Sequence, residues 1–340
     1  MAAMIAGLYR LLKGRIFTPV DPNTSLEGKT VLITGGNRGL GLEAAIKYVN
    51  LGATTVIIGC RSTERGNQAK ATIETLTRQK GVVQIWPLDM SRYDSVIAFA
   101  RRVNEEIPRL DIALLNAGVL HRNYTLSSEG WEDTLQINTL STILLALLLL
   151  QKLRASRTDV GGPANLTFTS SGTHKFVKGE QLVGSEDQSI LQHVNAESNF
   201  SSIVQYKVSK ILIEFAVKCI AKIARQENGT VDVIVNSACP GFCSTNLERE
   251  FDSFVHRLFG PIFYFIFGRS AEQGSRTLVS ATLLGEESHG KFWTHDSFPD
   301  LSQFLISTEE GKRLQERAWT EIVEELKTRS PLIKELLQPS

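Results

Sequence analysis

The sequence predicts a doubly wound α/β fold: a single domain with one parallel sheet of about seven strands, flanked by helices on both faces. Two observations predict it. From residue 28 onward, short β-branched runs alternate with longer stretches of helical periodicity, as a parallel sheet requires, because each new parallel strand is reached through a crossover. The first of those runs ends in TGGNRGLG (34–41), a glycine-bearing turn that opens directly into the helical pattern LEAAIKYVN. At 340 residues, 42% hydrophobic and 21% charged, the chain can bury a sizeable core.

In chain order the expected strands are 30–34, 55–59, 82–88, 110–116, 165–171, 231–238 and 291–294, a number that suits a Rossmann-type sheet. Residues 27–295 form the expected catalytic domain, with a substrate lid around 246–270. Residues 1–26 and 296–340 are read as N- and C-terminal helical extensions. In the first of these, Leu8, Leu11, Leu12 and Ile16 recur at helical spacing among Arg10, Lys13 and Arg15, before Pro19 and Pro22. This segment suits a helix packed on the domain, a membrane-surface anchor or an organellar presequence. Between the fourth and fifth strands, Ile143 to Leu150 is continuously apolar. It is too short to span a bilayer, so it reads as a doubly buried helix or a subunit interface. The aromatic stretch 254–268 is broken by Gly260 and Pro261 and reads as a core cover or a lid over an apolar pocket.

The net charge is +1, which argues against a nucleic-acid partner and for a small molecule. Cys60, Cys219, Cys239 and Cys243 are too sparse for a disulfide scaffold and lack C-x-x-C spacing, so they read as buried small hydrophobes with no metal.

The turn with Gly35, Gly39 and Gly41 lets backbone approach a pyrophosphate and aims helix amides at it. Its G-x-x-x-G-x-G spacing differs from G-x-G-x-x-G, so context must choose the ligand. An NAD site places a carboxylate at the end of the second strand for the ribose 2′-hydroxyl. Here that end reads Gly59-Cys60-Arg61-Ser62. A guanidinium there, with Arg38 inside the turn, matches a 2′-phosphate and favours NADP(H).

Downstream, YKVSK places Tyr206 and Lys210 one turn apart on an apolar helix. An ammonium beside a phenol lowers its pKa toward neutrality, which suits proton transfer. The fifth strand ends in Thr169-Ser170-Ser171-Gly172, at the carboxyl edge where such sheets place reacting groups. With no G-x-S-x-G context, Ser171 reads as a hydrogen-bond donor to a substrate oxygen and not as a nucleophile.

The ordered set TGGNRGLG, LDMS, LNAG, Asn138 in INTL, TSSG, YKVSK and CPGFCST resembles the short-chain dehydrogenase/reductase superfamily over residues 28–250. GLGLEAA, CRS, SSGTH and EQGSRTLVSATLLGEESHGKFW are similar to its retinol-dehydrogenase-like branch, in particular its fungal secondary-metabolism members. The resemblance implies that Gly35, Asn37, Arg38, Gly39, Leu40 and Gly41 cradle the cofactor and that Asp89 bonds the adenine. It further implies that Asn116, Ala117 and Gly118 line the central ribose region, while Pro240, Gly241 and Thr245 hold the nicotinamide and its carboxamide. Lys210 would bond the nicotinamide ribose. Asn138 would kink its helix around a water linking Lys210 to solvent, and of the two serines the family position matches Ser171. The apolar helix at 139–150 is similar to one that forms dimers in the family, which allows a homodimer.

One departure is the 35-residue separation of Ser171 and Tyr206, so vitamin A specificity does not follow. The expected activity is reduction of a ketone or aldehyde, or oxidation of the matching alcohol, in a bulky apolar molecule of secondary metabolism. Phe251, Phe254, Leu258, Phe259, Phe263 and Phe265 would crowd its lid. The expected setting is cytoplasmic, with membrane-surface contact through the N-terminal segment as a variant. Rival readings are a non-redox NADP-binding cyclase or isomerase, a retinoid or lipid alcohol dehydrogenase, and a cofactor-binding scaffold protein.

Overall fold

The computed structural model describes residues 16–157, 162–185, 187–243 and 268–337. Its centre is a seven-stranded sheet of order β3-β2-β1-β4-β5-β6-β7 in which every neighbouring pair is parallel. The strands are Thr30–Thr34 (β1), Thr55–Cys60 (β2), Val83–Pro87 (β3), Ile112–Leu115 (β4), Ala164–Thr169 (β5), Val233–Ala238 (β6) and Phe292–Trp293 (β7). Several are one to three residues shorter than their sequence patterns, because the apolar run continues into connections that lie against the core. The order reverses between β1 and β4, so the crevice outside their carboxyl ends is the natural ligand site of the fold.

Both faces of the sheet are covered, so its strands are apolar on both sides. Leu32 of β1 faces one core while its neighbours Val31 and Ile33 face the other, the two-residue period of a strand. On the second face lie α1 (Gly39–Asn50) and α2 (Thr63–Thr77). The opposite face is covered by α3 (Tyr93–Glu106), by α4, the continuous helical run Asp133–Ala155, and, beyond the short α5 (Ile190–Asn195), by α6 (Ser202–Ile223). The next helix, α7 (Ala271–Ala281), packs beside α1 on the second face.

The C-terminal extension is helical, as α8 (Glu309–Arg329) and α9 (Pro331–Leu336), but it is not an appendage. Leu314, Ala318, Ile322, Leu326 and Ile333 enter the same core as α4 and α6. Residues 141–150 of α4 are all buried within the one chain, with α3 and α9 packed against the helix. Of the two readings of that run, the doubly buried helix therefore holds. The run 139–150, to which the resemblance attached a dimer surface, has no exposed residue.

The helical reading of residues 1–26 requires correction where the structure describes it. Past Ile16 the strap 17–26 has neither helix nor strand, because Pro19 and Pro22 lack the amide donors that both need. Instead the strap is pinned to the domain. Val20 N donates to Asp296 Oδ2 at 2.8 Å, Arg276 Nη1 to Pro19 O at 3.3 Å, and Lys47 pairs with Asp21 at 2.7 Å. Residues 1–15, Thr245 and the expected lid phenylalanines lie outside the described residues.

The segment separating Ser171 from Tyr206 is ordered by that C-terminal extension. Glu321 of α8 accepts Ser189 Oγ at 2.7 Å, Ile190 N at 3.1 Å and Leu191 N at 2.9 Å, all at the start of α5. At the far end of α5, Asn195 Oδ1 accepts Glu132 N at 2.7 Å, just ahead of α4.

Candidate active site

The turn after β1 has no room for side chains at the positions that matter. A Cβ on Gly41 would lie 2.5 Å from Gly35 O and 2.7 Å from Asn116 Nδ2, and one on Gly35, whose φ is +68°, would lie 3.1 Å from Ala117 Cα. The turn is closed onto its neighbours by Gly35 N donating to Gly59 O at 2.8 Å and Asn116 Nδ2 to Thr34 O at 3.1 Å. Ala117 N donates to Thr34 Oγ1 at 2.9 Å. This packing presents bare backbone, from Gly35 through Asn37, Gly39 and Leu40, at the N-terminus of α1. It makes the cradle a pyrophosphate requires, so a nicotinamide dinucleotide fits the crevice.

Arg38 and Arg61 are exposed at its rim. Ser62, not Arg61, caps α2, its Oγ accepting Arg65 N at 3.3 Å, so Arg61 has no capping duty. Asp89 is fixed by Ser91, whose N and Oγ donate to Oδ1 at 3.0 and 2.8 Å.

The expected catalytic groups gather at the carboxyl ends of β4, β5 and β6. Lys210 is buried, and its Nζ donates to Thr169 O at 2.9 Å, two residues before Ser171. It also stands 5.5 Å from the centre of the Tyr206 ring. Burial pulls the Lys210 ammonium down to about 8, against the opposing influence of Cys239 and Glu214. Ser171 is half-buried, its Oγ held by Thr173 N at 3.3 Å and Thr173 Oγ1 at 3.0 Å, while Ser170 is fully buried. That contrast leaves Ser171 as the serine that can meet a substrate.

Asn138 sits in a π-helical turn, Gln136–Leu140, where α4 widens to a five-residue step. Its side chain clasps Val119, accepting Val119 N at 2.8 Å and donating to Val119 O at 2.9 Å, and it donates to Ser209 Oγ at 3.2 Å. A Cβ on Gly118 would come within 3.3 Å of Asn138 Oδ1 and 3.9 Å of Lys210 Nζ. Gly118 thus keeps open the space where these two groups converge.

Pro240 and Gly241, the latter at φ +83°, follow β6. They are joined to the Ser171 loop through Cys239, whose Sγ accepts Gly172 N at 3.2 Å and Gly241 N at 3.4 Å. From sequence alone Cys239 reads only as a buried hydrophobe. Its position immediately before Pro240 is the signal that could have found it. Cys243 is half-buried, unlike the other three cysteines, and burial pushes its thiol up to about 12. Among the described residues there is no cluster of metal ligands.

The short chain dehydrogenase family model matches residues 29–175. The short-chain dehydrogenase/reductase ffsI of Aspergillus flavipes is 45% identical over 95% of this chain and 93% of its own length. The chain belongs to the short-chain dehydrogenase/reductase family. A second short-chain dehydrogenase/reductase, phmF of Phaeosphaeria nodorum, is 44% identical over 93% of this chain and 92% of that one.

Among solved structures, the RhlG/NADP complex of Pseudomonas aeruginosa shares the fold, with a TM-score of 0.59 and 22% identity over 81% of this chain and 97% of that one. Levodione reductase also has a TM-score of 0.59, with 19% identity over 82% of this chain and 98% of that one. This short-chain dehydrogenase/reductase is therefore an oxidoreductase built on the fold those proteins share, and similar along nearly its whole length to fungal members of the family.

Proposed function

We propose that this chain is an NADP(H)-dependent reductase of a ketone or aldehyde in a bulky apolar small molecule of secondary metabolism, able to oxidise the matching alcohol in reverse. The observation that carries the reading is the buried Lys210. It is tied to Thr169 O beside the Ser171 loop and lies one helical turn below Tyr206. When bound, the nicotinamide supplies or accepts the hydride. Ser171 Oγ holds the carbonyl oxygen as charge develops on it, and Tyr206 donates the proton to that oxygen. Lys210 lowers the phenol pKa and holds the nicotinamide ribose. Asn138, at the widened turn, supports proton return toward Lys210.

NADP(H) is favoured by Arg61 at the end of β2 and by Arg38 in the turn, where an NAD site carries a carboxylate. Asp89, Asn116, Ala117, Gly118, Pro240, Gly241 and Thr245 complete the cofactor contacts in this reading. The apolar substrate is supported by Ile203, 59% exposed and three residues before Tyr206, and by Phe176, 50% exposed just past Ser171. The expected setting is the cytoplasm, and the burial of residues 139–150 of α4 leaves a homodimer to other faces of the chain.

The test is NADPH consumption monitored at its absorbance maximum with a panel of carbonyls. Tyr206→Phe is expected to lose turnover by about a hundredfold or more while binding NADPH as the unaltered protein does. A Tyr206→Phe variant with undiminished turnover overturns the assignment.

A further inference from the structure

The helix face that carries the catalytic groups does not end at Lys210. Tyr206, Lys210, Glu214 and Lys218 follow one another at four-residue steps and so lie along one side of α6. Glu214 is 3% exposed. One carboxylate oxygen, Oε2, accepts Ser237 Oγ of β6 at 3.0 Å, and the other, Oε1, is sealed from solvent without a hydrogen-bond partner.

From the turn after β5, His174 meets the same region. It is 1% exposed, and its Nδ1 lies 2.7 Å from Ser171 O. A carbonyl oxygen only accepts, so Nδ1 carries the proton and Nε2, also without a partner, is a bare lone pair in the neutral ring. Burial keeps that ring neutral by lowering its pKa, with Lys175 and Lys218 acting in the same direction and Glu214 against them. Neutral His174 therefore offers Glu214 no positive charge. Among the described residues the cations nearest in sequence along this face are Lys210 and Lys218, one turn to either side and not in direct ion-pair contact with the carboxylate, and Lys210 is also met by Cys239 from the end of β6. Lys218 is engaged with Ile306 O at 2.9 Å, at the outer end of the row.

A buried carboxylate with one idle oxygen is costly unless a charge answers it. A buried ammonium one turn away is costly for the same reason. One helical turn apart on a buried face, opposite charges lower each other's cost, as Cys239 does for Lys210 from β6, and the chemistry needs the ammonium.

We propose that Glu214 is the counter-charge that keeps Lys210 protonated in its dry setting, and is thereby a positioning residue for proton transfer at Tyr206. The proposal rests on the reading of Tyr206 and Lys210 as the proton-transfer pair. Without the carboxylate, Lys210 gives up its proton at lower pH. Tyr206 then loses the positive charge that stabilises its phenolate, and its ionisation moves to higher pH.

The experiment is an absorbance titration of tyrosinate in the full chain with bound NADP+, taken as the difference from Tyr206→Phe, alongside the pH profile of alcohol oxidation. In Glu214→Gln the Tyr206 step is expected to rise by about one pH unit, with oxidation at pH 7 down about tenfold. Glu214→Asp, which retains the charge, is expected to stay near the wild-type profile. Should Glu214→Gln not fold, Glu214→Met removes the charge at similar volume and is expected to give the same rise. A Tyr206 step that stays in place when the charge is removed, or that moves equally in Glu214→Asp, overturns the proposal alone. A wild-type protein in which Tyr206→Phe removes no step overturns the reading of Tyr206, and the proposal with it.

Discussion

Replacing Gly41 by alanine tests whether the turn after β1 is a cofactor cradle. Gly41 lies in the first turn of α1, where alanine would ordinarily help the helix by up to about 1 kcal/mol. Here its methyl would sit 2.5 Å from Gly35 O, 2.7 Å from Asn116 Nδ2 and 3.0 Å from Gly36 Cα. Two of these atoms are backbone, and the third is tied down by its bond to Thr34 O. The turn must therefore open, and overpacking of this kind costs about 1–3 kcal/mol. If the strain is relieved by moving the amides that face the pyrophosphate, NADPH affinity falls by about 5- to 150-fold, since about 1.4 kcal/mol is a factor of ten. Gly81→Ala is the control. Gly81 has a φ of +80° with nothing within 4 Å of its would-be Cβ, so this variant is expected to lose stability and leave NADPH binding intact. Binding is read from reduced-nicotinamide fluorescence, with Tm recorded on both variants. A Gly41→Ala protein that binds NADPH within about twofold of wild type refutes the cradle.

Three further outcomes follow from the same geometry. Arg61→Ser should raise the KM for NADPH by about ten- to a hundredfold and leave that for NADH nearly unchanged, because one charge-assisted pair with the 2′-phosphate is lost; equal losses for both cofactors would exclude the assignment. Lys210 titrates near 8 when folded and at 10.5 as an ordinary lysine, so between those values the unfolded chain holds a proton that the folded chain has released. Stability should accordingly rise with pH across that window, by at most about 1.4 kcal/mol per unit, and denaturant melts of Lys210→Met should lack this increment relative to wild type; parallel curves would refute it. Glu321→Ala strands three donors at the start of α5 and should loosen that segment by about 2–4 kcal/mol, seen as faster amide exchange over 187–200 and a lower kcat/KM with NADPH binding retained. Unchanged exchange there would sink it.

Much of the site was legible in sequence because its parts are local. Glycines at 35, 39 and 41 mark a turn too tight for side chains, and Tyr206 and Lys210 share a helix face through their spacing alone. Asn138 was legible only through the motif INTL and the resemblance it carries, while the π-turn itself depends on a clasp of Val119, nineteen residues upstream, that no local spacing shows. Cys239 reads in sequence only as a buried hydrophobe, and Glu214 carries no motif at all, for a related reason. Their significance lies in what they touch, Gly172 and Gly241 for one and Ser237 for the other.

The alternation of apolar runs determined the parallel sheet, and the motif order determined the family, because both rest on short-range periodicity and turn chemistry. Only the tertiary structure decided what covers α4 and what holds the long segment between Ser171 and Tyr206. An apolar helix looks the same in sequence whether a second subunit or its own C-terminus buries it. Here α9 packs on α4, while Glu321 reaches back across 130 residues to hold α5. Those contacts join parts of the chain far apart in sequence, so their partners could not be chosen until the backbone had closed around them.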